Sequence, residues 1–216
     1  MDGNRRWAKE QNLPAFEGHR AGYRKFKEAI TWAQEAGVSN LIFYAFSTEN
    51  WKRDEKEVAF LLSLITTGFE NDLKELVERN IRLQFIGQRD RFPKNIQEVL
   101  RNSEQESAEN TGCRVAVALS YGGRAEILHA VNSFIEEGRT TPVTEEEFSA
   151  RLWTTNIPDP DLIIRTGEAM RLSNFLPWQS VYSELYFTST YWPDFDKEEF
   201  DYILEEYANR ERRMGR

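Results

Sequence analysis

The chain has 216 residues, and 28 Lys and Arg against 36 Asp and Glu leave a formal net charge of -8. With 40% hydrophobic, 30% charged and 13% aromatic residues, the composition is that of a globular protein and excludes a disordered or collagen-like chain. The acidic balance argues against nucleic acid as a partner, although a local cluster of Arg can still hold a small anion. No apolar run approaches the roughly 20 residues that span a bilayer, and no signal-peptide pattern opens the chain. The single cysteine, Cys113, cannot form an internal disulfide, which suits a cytoplasmic location.

Short apolar, β-rich runs at Leu41–Phe46, Arg82–Ile86, Val115–Leu119, Leu162–Ile164 and Leu185–Phe187 predict strands buried on both faces of a mostly parallel sheet. Helical spacing lies between them. Tyr23, Phe26, Ile30 and Ala33 recur at three or four residues, with Gly37 placed to end the helix. From about Glu55 to Glu78, Val58, Leu61, Leu62, Ile65, Phe69, Leu73 and Leu76 form one stripe, while Phe60 and Leu64 make the other side apolar too. That second face implies either burial under a neighbouring helix or a wall of a lipid-binding cleft. Further helices are predicted at Asn95–Glu109, Arg124–Glu136, Glu145–Leu152 and Lys197–Arg212, and loops at Thr140–Thr144 and Asn156–Asp161. The alternation gives a single α/β domain, a mostly parallel central sheet flanked by helices.

No metal cage, nucleophile elbow or phosphate-binding glycine loop is present. His129 lies inside a helix beside Leu128 and Ala130 and reads as structural. Four polar clusters remain. Asp2-Gly3-Asn4-Arg5-Arg6-Trp7 reads as a tight turn with free amides and two cations, able to take a diphosphate, or as solvated surface. Gly18-His19, placed just before a helix, can face an anion or serve as a cap. Ser47-Thr48-Glu49-Asn50-Trp51-Lys52-Arg53 follows a strand and suits a substrate with a charged head and an apolar body, or is a plain capping turn. Arg165, Arg171, Leu172 and Ser173 follow another strand, where open α/β sheets place ligand crevices.

Together MDGNRRWAK, GHRAG, YAFSTENWKR, SYGGR, IRTG with RLSNFLPWQ, YSELYF, YWPDF and NRERRMG resemble cis-prenyltransferases of the undecaprenyl diphosphate synthase type, in family order along almost the whole chain. The resemblance implies condensation of isopentenyl diphosphate in cis onto an allylic diphosphate such as farnesyl diphosphate, with Mg²⁺, an apolar product tunnel and a homodimer or heterodimer. It also leaves room for peripheral contact with the inner membrane face when the polyprenyl product leaves. On this likeness Asp2 and Asn50 are the catalytic residues, and Asp2 and Glu184 are associated with the metal. Gly3, Asn4, Arg5, Arg6, Trp7 and His19 surround the allylic diphosphate. Ser47, Thr48, Glu49, Trp51 and Arg53 line the same site, while Arg165, Arg171, Leu172 and Ser173 serve isopentenyl diphosphate. Arg213-Met214-Gly215 resembles an element that reaches a partner's site.

The chain departs from the family at Ala15, where many relatives carry Arg, and at Arg5, where many carry Gly. Gly167-Glu168-Ala169 stands for Gly-Gly-Glu or Ser-Gly-Glu, so a side chain at Glu168 strains the turn if φ is positive, with its charge near Arg165 and Arg171. The family also places an apolar strand before the MDGN motif. Without it the expectation is an empty sheet position and an Asp2 lacking a rigid mount. A non-catalytic subunit and a same-fold enzyme of irregular diphosphate chemistry are the alternative readings.

Overall fold

The computed structural model describes residues 1–210. Two helices, α1 (Asn4–Glu10) and α2 (Ala15–Glu35), precede β1 (Asn40–Ser47), α3 (Glu55–Glu78) and β2 (Arg82–Ile86). Then come α4 (Lys94–Glu106), β3 (Arg114–Tyr121), α5 (Gly123–Glu136), α6 (Glu145–Ser149), β4 (Leu162–Arg165), β5 (Glu184–Phe187) and α7 (Lys197–Asn209). The Arg213–Gly215 element and the end of the last predicted helix lie outside the described residues.

All strand pairs among the described residues are parallel, as expected, but they form two sheets rather than one: β1-β3-β2 and β4-β5. The central strand β3 is buried almost end to end. Val115, Val117 and Leu119 enter the main core with α2, α3, α4 and α7, whereas Ala116 and Ala118 enter a smaller core on the other face. The alternation breaks at Ser120, whose φ of +48° turns the next residue over, so Tyr121 joins the smaller core. A bulge in β1 between Tyr44 and Phe46 answers it. These two irregularities re-aim the chain at the strand ends, where the site lies.

Two packing details decide how the site is held. α2 starts at Ala15 with Pro14 as its N-cap residue, earlier than expected, so Gly18 and His19 lie within the helix rather than before it. Pro14 is pre-set for a helix start, and the glycines serve packing: a Cβ at Gly18 would run into the Asn4 carbonyl, and one at Gly22 into the Asn4 side chain. Only with both absent can α1 lie against α2. Gly37 ends α2 as expected, at φ +74° with Val38 N–H donating to Ala33 O at 2.8 Å. On the far side of β3, fully buried Glu126 accepts from Tyr121 Oη at 2.6 Å and Gln179 Nε2 at 3.0 Å, tying α5 to the loop before β5.

Candidate active site

Asp2 is held in place by the segments around it. The Thr166 hydroxyl accepts from Asp2 N–H and donates to Asp2 O, both at 3.0 Å, and Trp192 N–H donates to the same carbonyl at 2.9 Å. The end of β4 and the turn after β5 therefore grip its backbone. Its side chain accepts from Gly3 N–H at 2.7 Å and Arg165 Nη2 at 2.9 Å, with Arg6 Nη2 at 3.3 Å. Partial burial would raise the carboxyl's pKa, but these donors and charges outweigh it and hold Asp2 below its ordinary range. Gly3, at φ +104°, turns the chain into α1, and a Cβ there would strike the Tyr191 ring. The Asp2–Arg6 segment, expected as a turn, is thus a turn at Gly3 followed by a short helix.

Arg165 carries the second half. Its Nη1 donates to Ser173 Oγ at 2.7 Å and to the Arg171 carbonyl, Arg171 Nε donates to Ser173 Oγ at 3.2 Å, and Arg165 Nε is buried without an acceptor among the described residues. Ser173, Asn174 and Leu176 hold positive φ values of +49°, +67° and +48°, which fold this loop back over the strand end. The loop Gly167–Glu168 is strained as expected, with Glu168 at φ +67°. Its carboxylate, however, meets Arg6 Nη1 at 3.2 Å instead of Arg165 or Arg171.

A third group was not visible as such in the sequence. Buried Glu57 accepts from Arg53 Nη1 at 2.9 Å, contacts His19 Nε2 at 3.2 Å and lies 3.7 Å from Arg5. The Arg53–Glu57 spacing of four on a helix entry is the signal that could have found it. Burial lowers the His19 pKa, and the Glu57 contact that opposes it is the smaller effect. Thr166, described above, is the other unforeseen residue.

Arg5, Arg6, Arg53, Arg165 and Arg171 all line one cavity of about 1420 Å³, together with Asp2, Gly3, Asn4, His19, Ser47, Asn50, Leu172 and Ser173. It runs between β1 and β4 and continues inward along Tyr23, Phe26, Leu61, Leu64, Ile65 and Phe69. Its mouth is therefore cationic and its interior apolar, within an acidic chain. Five expected site residues are not in its wall. Trp7 Nε1 donates to Asp194 at 2.6 Å, and Glu49 accepts from Asn174 at 3.1 Å. Thr48 packs at Gly122. Trp51 packs on Phe46 and Phe92 and donates to Ser120 Oγ at 2.9 Å, because its ring is more apolar than its indole N–H is polar and the core takes it. Glu184 opens β5 opposite Leu162, three residues and about 10 Å of strand from Arg165, and its carboxylate takes Arg210 Nη1 at 2.7 Å. Phe60 also stays out of the cavity, on Phe16 at 4.7 Å and under Arg20 at 5.3 Å, whereas Leu64 is in the wall.

No group of three or more His, Cys, Asp or Glu able to cage a metal is found among the described residues. Among the described residues of the cavity mouth, Asp2 could hold a divalent ion: it is a carboxylate beside a cationic anion pocket, and Mg²⁺ commonly uses one or two carboxylates plus substrate phosphates.

A family model described as "Putative undecaprenyl diphosphate synthase" matches residues 1–215. The isoprenyl transferase of Chromobacterium violaceum is 46% identical over 216 residues, covering 100% of this chain and 86% of the relative. That of Thermotoga maritima is 41% identical over 218 residues, covering 100% and 94%. Among solved structures, lavandulyl diphosphate synthase from Lavandula x intermedia, in complex with dimethylallyl diphosphate, matches with a TM-score of 0.94 at 34% identity, over 100% of this chain and 95% of that one. A probable undecaprenyl diphosphate synthase from Campylobacter jejuni matches with a TM-score of 0.83 at 36% identity, over 91% and 93%. With the motifs, the cationic mouth and the apolar interior agreeing along the whole chain, the protein belongs to the isoprenyl transferase family, of the undecaprenyl diphosphate synthase type.

Proposed function

We propose that the protein condenses isopentenyl diphosphate in cis onto an allylic diphosphate, farnesyl diphosphate in the first instance, and lengthens it into a polyprenyl diphosphate carrier lipid. One observation carries the reading: Asp2, Arg6, Arg165, Arg171 and Ser173 converge at the mouth of a cavity whose inner wall is apolar. The mouth suits two diphosphate heads and the interior suits the growing chain. Arg6 and His19 hold the allylic diphosphate; Arg165, Arg171 and Ser173 hold that of isopentenyl diphosphate. Fixed guanidinium forks placed where charge develops on a leaving diphosphate lower the barrier to ionisation. Asp2 would hold Mg²⁺, which when bound neutralises further charge on the departing group. The apolar wall keeps water from the allylic cation until the neighbouring alkene captures it. Asn50, its Oδ1 fixed by the Ser47 N–H at 3.0 Å, guides the proton that is then lost.

The working form is a homodimer. Support comes from α5, where Leu128, Val131 and Ile135 share one exposed stripe, an apolar face of the kind that marks protein contacts. No helix among the described residues is long and apolar enough to cross a membrane. The enzyme acts in the cytoplasm, and its product passes to the inner face of the membrane.

A second reading, coupling of allylic diphosphates by another regiochemistry, is favoured by the likeness to a structure holding dimethylallyl diphosphate and by the altered Gly167–Ala169 turn. Incubation with farnesyl diphosphate, labelled isopentenyl diphosphate and Mg²⁺ tests the first reading. Labelled, organic-extractable polyprenyl product is expected; no label beside an active control enzyme overturns it. A product formed from dimethylallyl diphosphate alone would establish the second.

A further inference from the structure

We propose that Glu168 weakens anion binding at the cavity mouth by competing with the ligand for one arm of Arg6. The inference rests on the diphosphate reading above. The two arms of the Arg6 guanidinium are unequal. Nη2 is committed to the frame, donating to Gly167 O at 2.8 Å and lying 3.3 Å from Asp2 Oδ1, while the guanidinium carbon sits over the Tyr191 ring at 5.2 Å. Nη1 meets Glu168 Oε2 at 3.2 Å. A ligand oxygen that reaches Arg6 from the cavity therefore competes for Nη1.

Glu168 is aimed at that arm by its backbone. Gly167 N–H donates to Thr190 O at 2.8 Å and Glu168 N–H to Thr188 O at 3.0 Å, so the turn is pinned to the segment after β5 while Glu168 is held at φ +67°. Its side chain is 60% exposed, so solvent can take the carboxylate when it is displaced. Glu168 itself is not in the cavity wall, whereas Arg6 is. The contact is thus a releasable latch placed just outside the pocket. With Asp2 on one arm and Glu168 on the other, Arg6 faces two carboxylates before any ligand arrives.

The probe is inorganic pyrophosphate, titrated calorimetrically at low ionic strength into the full chain. Glu168→Gln keeps the side-chain shape and removes the charge, and should lower the Kd by about two- to fivefold, the scale of one exposed ion pair. The gain should shrink at high salt. In an Arg6→Ala background the same substitution should give no gain. Glu168→Gly should tighten binding similarly and raise the melting temperature, because glycine takes the positive φ freely. If wild type binds pyrophosphate and Glu168→Gln does not tighten it, the competition is refuted while the diphosphate reading stands. A gain that survives in the Arg6→Ala background also refutes it, since a general field would then be responsible. Absence of pyrophosphate binding in every variant defeats the diphosphate reading and this inference with it.

Discussion

The Asp2 carboxylate and the Arg165 guanidinium meet at 2.9 Å across 163 residues of chain, joining the entry to α1 with the end of β4. The pair is half-exposed on the Asp2 side, so its worth to folding is small. Its importance is positional. Asp2→Asn keeps the shape and the Gly3 and Thr166 contacts but removes the charge. Turnover should fall on the order of 100- to 1000-fold, the scale of losing one electrostatic group at a developing charge. The far-UV circular dichroism spectrum and melting temperature should stay near wild type. Label incorporation within tenfold of wild type would remove Asp2 from its assigned role.

Arg165→Lys separates charge from geometry. Arg165 reaches Asp2 with one arm and Ser173 with the other, which an ammonium on a single stem cannot do at once. The KM for isopentenyl diphosphate should rise by about tenfold or more, one lost forked contact. The KM for the allylic substrate should move less. Equal shifts in the two constants would show that Arg165 serves both heads alike.

How far the sequence reaches is visible in particular residues. The five strands were legible because each centres on an apolar, β-rich run too short for a helix, although burial on both faces does not hold throughout: Leu185 of β5 is exposed. α1 was not, since seven residues carry too little periodicity and its position depends on Gly18 and Gly22 in the next helix. The division into two sheets was equally hidden, because hydrogen bonding between strands is a tertiary fact. At the site, the arginines and Asp2 followed from the motifs, but Glu57 did not: its partner His19 is 38 residues away. Where Trp51 and Phe60 pack was not legible, because aromatic residues in a polar or two-faced segment carry no sign of which side they pack on.

The buried His19 makes stability depend on pH in a stated direction. Burial lowers its folded pKa below the ordinary 6.5, so between the two values the unfolded chain binds more protons than the folded one. Stability therefore rises with pH through that window and is lost as pH falls below 6.5. Urea midpoints measured from pH 7.5 down to 5 should fall in wild type and flatten in His19→Asn. Identical slopes in the two proteins would place the titration elsewhere.

Gly18→Ala sets two effects of opposite sign against each other. Alanine favours the helix over glycine by about 1 kcal/mol. Against that, its Cβ would meet the Asn4 carbonyl, a backbone atom that cannot rotate away. Forcing α1 off α2 should cost about 1–3 kcal/mol, so the net change is destabilising. It should also raise the KM for the allylic substrate, because Asn4, Arg5 and Arg6 move with α1. A variant as stable as wild type by chemical denaturation would show that α1 adjusts freely.

Product length tests where along α3 the growing chain lies. Leu64 lines the apolar part of the cavity, whereas Phe60 packs outside it on Phe16 and Arg20. Leu64→Trp adds bulk where the growing prenyl chain would lie, and should shift the product distribution to shorter lengths with the first condensation nearly unchanged. Phe60→Ala opens space one turn nearer the start of α3, outside the cavity wall, and should leave the distribution as it is, while weakening the Phe16 contact. Ala45, in the same wall on β1, offers an independent check: Ala45→Leu should shorten the product as Leu64→Trp does. Reverse-phase chromatography of dephosphorylated products reads all three. Lengthened product from Phe60→Ala, with no change from Leu64→Trp, would mean that the chain grows past Phe60 and not along the cavity wall at Leu64.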